Sequence, residues 1–223
     1  MTITMPAEKE QTLVPAGTHN AICCRVVDIG TQATSFGPRH QLFFSWELTD
    51  ETMNNGRPFI ISRRYNYSAD RKASLRIDIE GWLGRTLDAR DFGTLDLSTM
   101  LGRTCLVGVK HETRDGRTFA NVTSIMKPPK ETMERLPPMT EAVALSLADR
   151  PFAHGDFDAL PPWLRDLVAK SPEYQTAIEP QAPNPEDAHA RHKAMLLVQP
   201  PKPKRKTNIF GPGDDLADDH IPF

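Results

Sequence analysis

Apolar side chains fill most of residues 19–29, where Ala21, Cys23, Arg25, Val27 and Ile29 alternate against Ile22, Cys24, Val26 and Asp28 between Gly17 and Gly30. That period of two predicts a long first strand. Over 40–49 the alternation is cleaner, with Leu42, Phe44, Trp46 and Leu48 on one face and Phe43, Ser45 and Glu47 on the other, as in a half-buried second strand. Asn54-Asn55-Gly56 supplies residues that tolerate positive φ, and a third strand follows from 57 to about 67. The period then lengthens. Leu75, Ile79, Trp82 and Leu83 recur at helical spacing, Ser68-Ala69-Asp70 offers an N-cap, and Gly84 is placed to end the helix. A connector with Phe92, Leu95, Leu97, Met100 and Leu101 leads to a fourth strand over 104–111, through Cys105, Val107 and Val109. Asp115-Gly116 makes a hairpin turn, and a fifth strand over 117–126 offers Phe119, Val122 and Ile125 to the core.

Three strands, a helix and two further strands predict a mainly β fold, a five-stranded OB-type barrel with one helix between strands 3 and 4. Five strands also fit a small sandwich. The chain divides into a flexible leader over 1–11, an OB-fold domain over 12–130, a proline-rich extension over 131–199, and a basic spacer with an acidic tip over 200–223. Sixteen of the twenty prolines lie at or after Pro128. In the extension the pattern predicts short helices over 140–149, 161–170 and 186–198, the second clustering Trp163, Leu164, Leu167 and Val168 as a packing stripe.

Charge separates the same parts. Residues 12–130 hold sixteen Lys and Arg against twelve Asp and Glu, a balance of +4, whereas 131–223 hold ten against fifteen, a balance of −5. A mildly basic body with an acidic tail suits a polyanion-binding domain. Cys23, Cys24 and Cys105 form neither a disulfide framework nor a zinc pattern and read as free thiols. No apolar run reaches membrane-spanning length, so the expectation is a cytoplasmic protein without a membrane partner. No phosphate loop, nucleophile elbow or zinc helix is present in the sequence, and the expected role is non-enzymatic, with no metal and no cofactor.

Single strands are bound by stacking bases on aromatic rings while basic side chains follow the phosphates. The third strand carries both, in Arg63, Arg64, Tyr65 and Tyr67 with Arg71 and Lys72 just beyond. Because Phe59 and Ile61 share the parity of Tyr65, a bulge or strand end near Arg63 is needed to turn Tyr65 outward. Otherwise it packs at the rim. Phe36 beside Arg39, and Phe43 on the face opposite Trp46, read as surface rings. Lys110, Arg114 and Arg117 surround the last hairpin, and Arg25 is the lone cation of the first strand.

The end of the chain reads as a ligand. Asp214, Asp215, Asp218 and Asp219 lead into Ile221-Pro222-Phe223, acids that resist burial beside a ring that seeks a pocket. It resembles the C-terminal tip of bacterial single-stranded DNA-binding proteins, with His220 where that family usually has another acid. Arg64-Tyr65, Ser74-Leu75-Arg76, Leu83-Gly84-Arg85, Phe92, Leu101-Gly102-Arg103 and the run from Gly116 to Val122 are similar to a family of phage and prophage single-stranded DNA-binding proteins. These resemblances imply an OB fold in bacteriophage DNA replication or recombination, and a tip that recruits replication, recombination or repair enzymes; the sequence leaves open whether the protein is a homo-oligomer. The alternative is a protein-interaction adaptor or inhibitor that mimics the host tail. What separates the two is whether Phe36, Phe43, Tyr65 and Tyr67 line one exposed basic groove.

Overall fold

The structure is a computed structural model that describes residues 13–149 and 151–178. The leader over 1–11, the helix expected over 186–198, the basic spacer and the acidic tip lie outside them. The described residues form a mainly β fold of β1 (Gly17–Thr34), β2 (Gly37–Thr52), β3 (Pro58–Asn66), β4 (Thr104–Arg114), β5 (Arg117–Met126) and the short β6 (Val143–Leu145). Helix α1 (Ser74–Leu83), α2 (Ala89–Gly93) and a 3-10 turn at Leu97–Met100 separate β3 from β4, and α3 (His154–Asp158), α4 (Pro162–Ala169) and α5 (Pro172–Ile178) follow β6. The sheet order is β3-β2-β1-β4-β5, all antiparallel, with β6 added in parallel to β1. Asp115 and Gly116 turn the last hairpin with φ of 51° and 74°, the pairing that a right-twisted two-residue turn requires.

β1 does not alternate evenly. Its register against β2 shifts between Cys23 and Arg25 and again between Asp28 and Gly30. Each shift inserts one unpaired residue and turns the following side chains to the opposite face. Ala21, Cys23 and Val26 therefore point into one core with Phe44, Trp46, Ile61 and Val107, while Val27 and Ile29 point into another. The parity expected from the sequence, with Cys23 and Val27 on one face, is corrected by the first bulge.

The first core lies between the sheet and α1, which packs on β5 and β3. The second lies on the other side of β1 and β2, where Phe43 joins Val143, Leu145, Leu147, Leu160, Leu164 and Val168. The helix expected over 140–149 is instead strand β6. Val143, Leu145 and Leu147 are all buried at a spacing of two, and β6 pairs with Arg25–Val27, beyond the stretch Gly17–Ile22 that β4 occupies. Tertiary pairing overrides local helix preference here. Helix α1 also begins later than its expected cap: Asp70 accepts a hydrogen bond from the Lys72 N–H, at 2.7 Å, and Ala73 takes the cap position without a side-chain bond.

Two carboxylates hold the extension down, Glu47 buried and Glu173 partly exposed. Glu47 on β2 accepts hydrogen bonds from the Met139 and Thr140 N–H groups, at 2.8 and 2.7 Å. Glu173 on α5 accepts from the Thr31 N–H at 2.8 Å and the Thr31 hydroxyl at 2.5 Å. Desolvation pushes the Glu173 carboxyl up, yet these bonds together hold it below its ordinary value. The α5 terminus approaches so closely that a Cβ on Gly30 (φ 65°) would stand 2.5 Å from Ser171 Cβ. Replacing Glu47 with Ala strands two N–H donors, and the expected cost is about 3 kcal/mol against about 1 kcal/mol for Glu47→Gln, read by urea unfolding.

Candidate nucleic-acid interface

The pairing of β3 with β2 runs without a break from Ile60↔Glu47 to Asn66↔Gln41, so no bulge turns Tyr65 outward. Tyr65 keeps the parity of Phe59 and Ile61 and is buried with them. Its hydroxyl donates to Asp78 Oδ2 at 2.7 Å, and Arg63 Nη1 donates to the same oxygen at 2.8 Å while its guanidinium lies over the Tyr65 ring. Burial pushes the Asp78 carboxyl above its ordinary value, although Tyr65, Arg63 and the Ile125 backbone all pull it down. The Tyr65 phenol is pushed up by burial and by the Asp78 charge. Tyr65 is thus a core residue that anchors α1 to β3, and its reading as a base-stacking ring is corrected.

Phe43 is corrected too. It is buried beneath the extension, edge-on to Trp163 at a centroid separation of 5.4 Å. Arg25 is half-buried between Ser45 of β2 and Val143 of β6, with Nε enclosed and unpaired, and lines no groove described below.

Basic side chains from two distant segments meet in a groove of roughly 850 Å³ between β3 and the β4–β5 hairpin. Arg63 and Arg64 line one side; Arg114, Arg117, Phe119, Asn121 and Thr123 line the other. Four guanidiniums face two carboxylates, Glu112 and Asp115. Glu112 takes hydrogen bonds from Arg114 and Asn121, at 3.2 Å each, and Arg63 is held by Asp78. Among the described residues Arg64 and Arg117 have no side-chain partner, which leaves their donors open to an anion.

The ring in this groove is Phe119, 47% exposed, which the sequence pattern had assigned to the core. The register between β4 and β5 shifts at Gly108/Val109, leaving Thr123 unpaired, so Val122 and Ile125 both point inward at a spacing of three. Before the bulge the strand alternates normally, Ala120 packs on the core, and Phe119 and Asn121 face out.

A second groove, of roughly 800 Å³, gathers Arg39, His40, Asn66, Tyr67 and Lys72 at the far end of β3. Tyr67 is exposed there and touches the His40 ring at 5.2 Å between centroids. Phe36 stands almost fully exposed at the tip of the β1–β2 hairpin. Arg71 and Lys110 are exposed outside both grooves, Lys110 opposite Asn121. A third cavity, of roughly 750 Å³, is lined by Asp28, Asp96 and Asp149, and three carboxylates disfavour a polyanion. No helix among the described residues is long and apolar enough to cross a membrane.

No protein-family model and no curated protein matches the chain.

The Tyr65–Asp78–Arg63 cluster makes a pH-dependent prediction. Because Asp78 holds its proton in the folded state at pH values where the unfolded chain has lost it, stability from this group falls as pH rises from the ordinary carboxylate value through the raised one. Tyr65→Phe removes a donor to the ionised form, so the loss is expected to be about 2 kcal/mol at pH 7 and to shrink as pH falls through that window. Urea melts across the acid range test it; a loss independent of pH would show that Asp78 is not the partner that matters.

Proposed function

We propose that the protein is a non-enzymatic single-stranded DNA-binding protein, that its sheet is an OB-type barrel closed by α1 between the β3 and β5 edges, and that its strand-binding site is the groove between β3 and the β4–β5 hairpin. The observation that carries this reading is the meeting of Arg64 and Arg117, both unpartnered among the described residues, with the exposed Phe119 in one groove. Free guanidiniums beside a ring fit the phosphates and base faces of an unpaired strand. Taken as a ring, the order β3-β2-β1-β4-β5 is compatible with the OB arrangement. The acidic tip, similar to that of bacterial single-stranded DNA-binding proteins, would recruit replication, recombination or repair enzymes while the body covers the strand, as suits a bacteriophage replication or recombination protein.

The adaptor reading keeps one specific observation in its favour. Phe43 and Tyr65 are buried, Phe36 is at a hairpin tip and Tyr67 lies in the second groove, so these four rings do not form one stripe.

Titration of the full chain with labelled oligo-dT separates the two. Salt-sensitive binding to the single strand with little affinity for duplex is expected; no binding at low salt would leave the adaptor as the better account. Arg64→Ala with Arg117→Ala is expected to reduce the dependence of log K on log salt by roughly 1.4, and Phe119→Ala to weaken binding by about 1 to 3 kcal/mol. Removing residues 214–223 is expected to leave oligo-dT affinity unchanged or higher while abolishing capture of partner enzymes.

A further inference from the structure

Arg64 lines the groove, and the outer face of the sheet continues from it onto β2. Arg64 pairs across the β3–β2 ladder with Phe43, so their side chains stand side by side on that face, with Cα atoms about 5 Å apart. Phe43 in turn takes the edge of Trp163, the second residue of α4, on the side away from the first core. Trp163 is not absorbed by this contact. Leu164 and Val168 make the buried stripe of α4, while Trp163 remains 53% exposed. A half-bare indole is costly to leave in water, and here it packs on Phe43, whose cross-strand neighbour Arg64 has no side-chain partner among the described residues.

We infer that Trp163 extends the strand-binding surface, stacking a base of the single strand whose phosphates lie against Arg64. The extension is then part of the nucleic-acid site as well as a cover for the β1–β2 face. This rests on the reading of the groove as a single-strand site. The charge on that face argues for that occupant: Arg64, the cross-strand neighbour of the Phe43 on which Trp163 packs, would pair with a phosphate. An indole face accepts any base and so adds affinity without sequence preference.

The chain reports on this directly, because its other two tryptophans, Trp46 and Trp82, are only 1% and 3% exposed. Quenching of intrinsic emission during an oligo-dT titration therefore reads Trp163. Three outcomes are expected: oligo-dT quenches the wild-type emission; Trp163→Ala weakens binding roughly 5- to 100-fold; Trp163→Phe retains affinity within about threefold. Trp163→Leu, which preserves apolar packing on Phe43 without an aromatic face, separates stacking from support of the extension and is expected to bind as weakly as the Ala variant. Binding with unchanged emission, or full affinity in Trp163→Leu, overturns the role of Trp163 and leaves the groove assignment standing. Absence of oligo-dT binding by the wild type overturns the groove assignment itself.

Discussion

The architecture depends on one extra residue in β1. An even strand would aim Cys23, Arg25, Val27 and Ile29 at the same side, forcing a guanidinium against Phe44 and Trp46. The shift at Cys24 avoids that cost and hands Val27 and Ile29 to the opposite face. One strand thereby borders two cores. Gly17–Ile22 pairs with β4, Arg25–Val27 with β6, and the strand pairs with β2 from Ala21 to Thr34. The bulge also explains how two adjacent cysteines are both buried, Cys23 in the first core and Cys24 beside Ser45, with burial pushing both thiols up, Cys24 to about 11.

Because that second face is apolar, something must cover it, and residues 139–178 do so. Each large side chain they bury contributes about 1.5 to 3 kcal/mol, while Glu47 converts two backbone donors into charge-assisted bonds at the point of attachment. The covering has a spatial consequence. With the β1–β2 face occupied, the exposed basic surface of the sheet is displaced toward β3 and the β4–β5 hairpin, where Arg64 and Arg117 stand open. The location of the candidate site is set by what the extension leaves uncovered.

How much of this was readable in the sequence follows from the range over which each interaction acts. Strands β1 to β5, the Asp115-Gly116 turn and the Gly84 helix end were legible because alternation and turn chemistry are local. The parity of Tyr65 with Phe59 and Ile61 pointed to its burial and against its reading as a base-stacking ring. Phe119 was not: a bulge at Thr123 makes Val122 and Ile125 look like part of a three-residue period, and continuing that period backward reaches the wrong residue. β6 was hidden for another reason. Its three residues are a strand only because β1 offers an unoccupied edge, which no local pattern records. The convergence of Arg63 and Arg64 with Arg114 and Arg117 likewise exists only once β3 and β5 meet across α1.

The groove's four guanidiniums are not equivalent, and the difference bears on how a strand would be held. Arg63 is fixed by Asp78 and by the Tyr65 face, so its conformational cost is already met by folding and its charge is paired. Arg64 and Arg117 keep their full charge but also their freedom, and immobilising each long side chain costs on the order of 1 to 2 kcal/mol. A phosphate contact from either therefore nets little per residue. Binding built from such contacts is shallow, salt-dependent and easily undone, while stacking on a ring with only two rotatable bonds gives a larger net return. If the groove holds a single strand as proposed, aromatic faces would supply the hold and the loosely tethered charges would let it go.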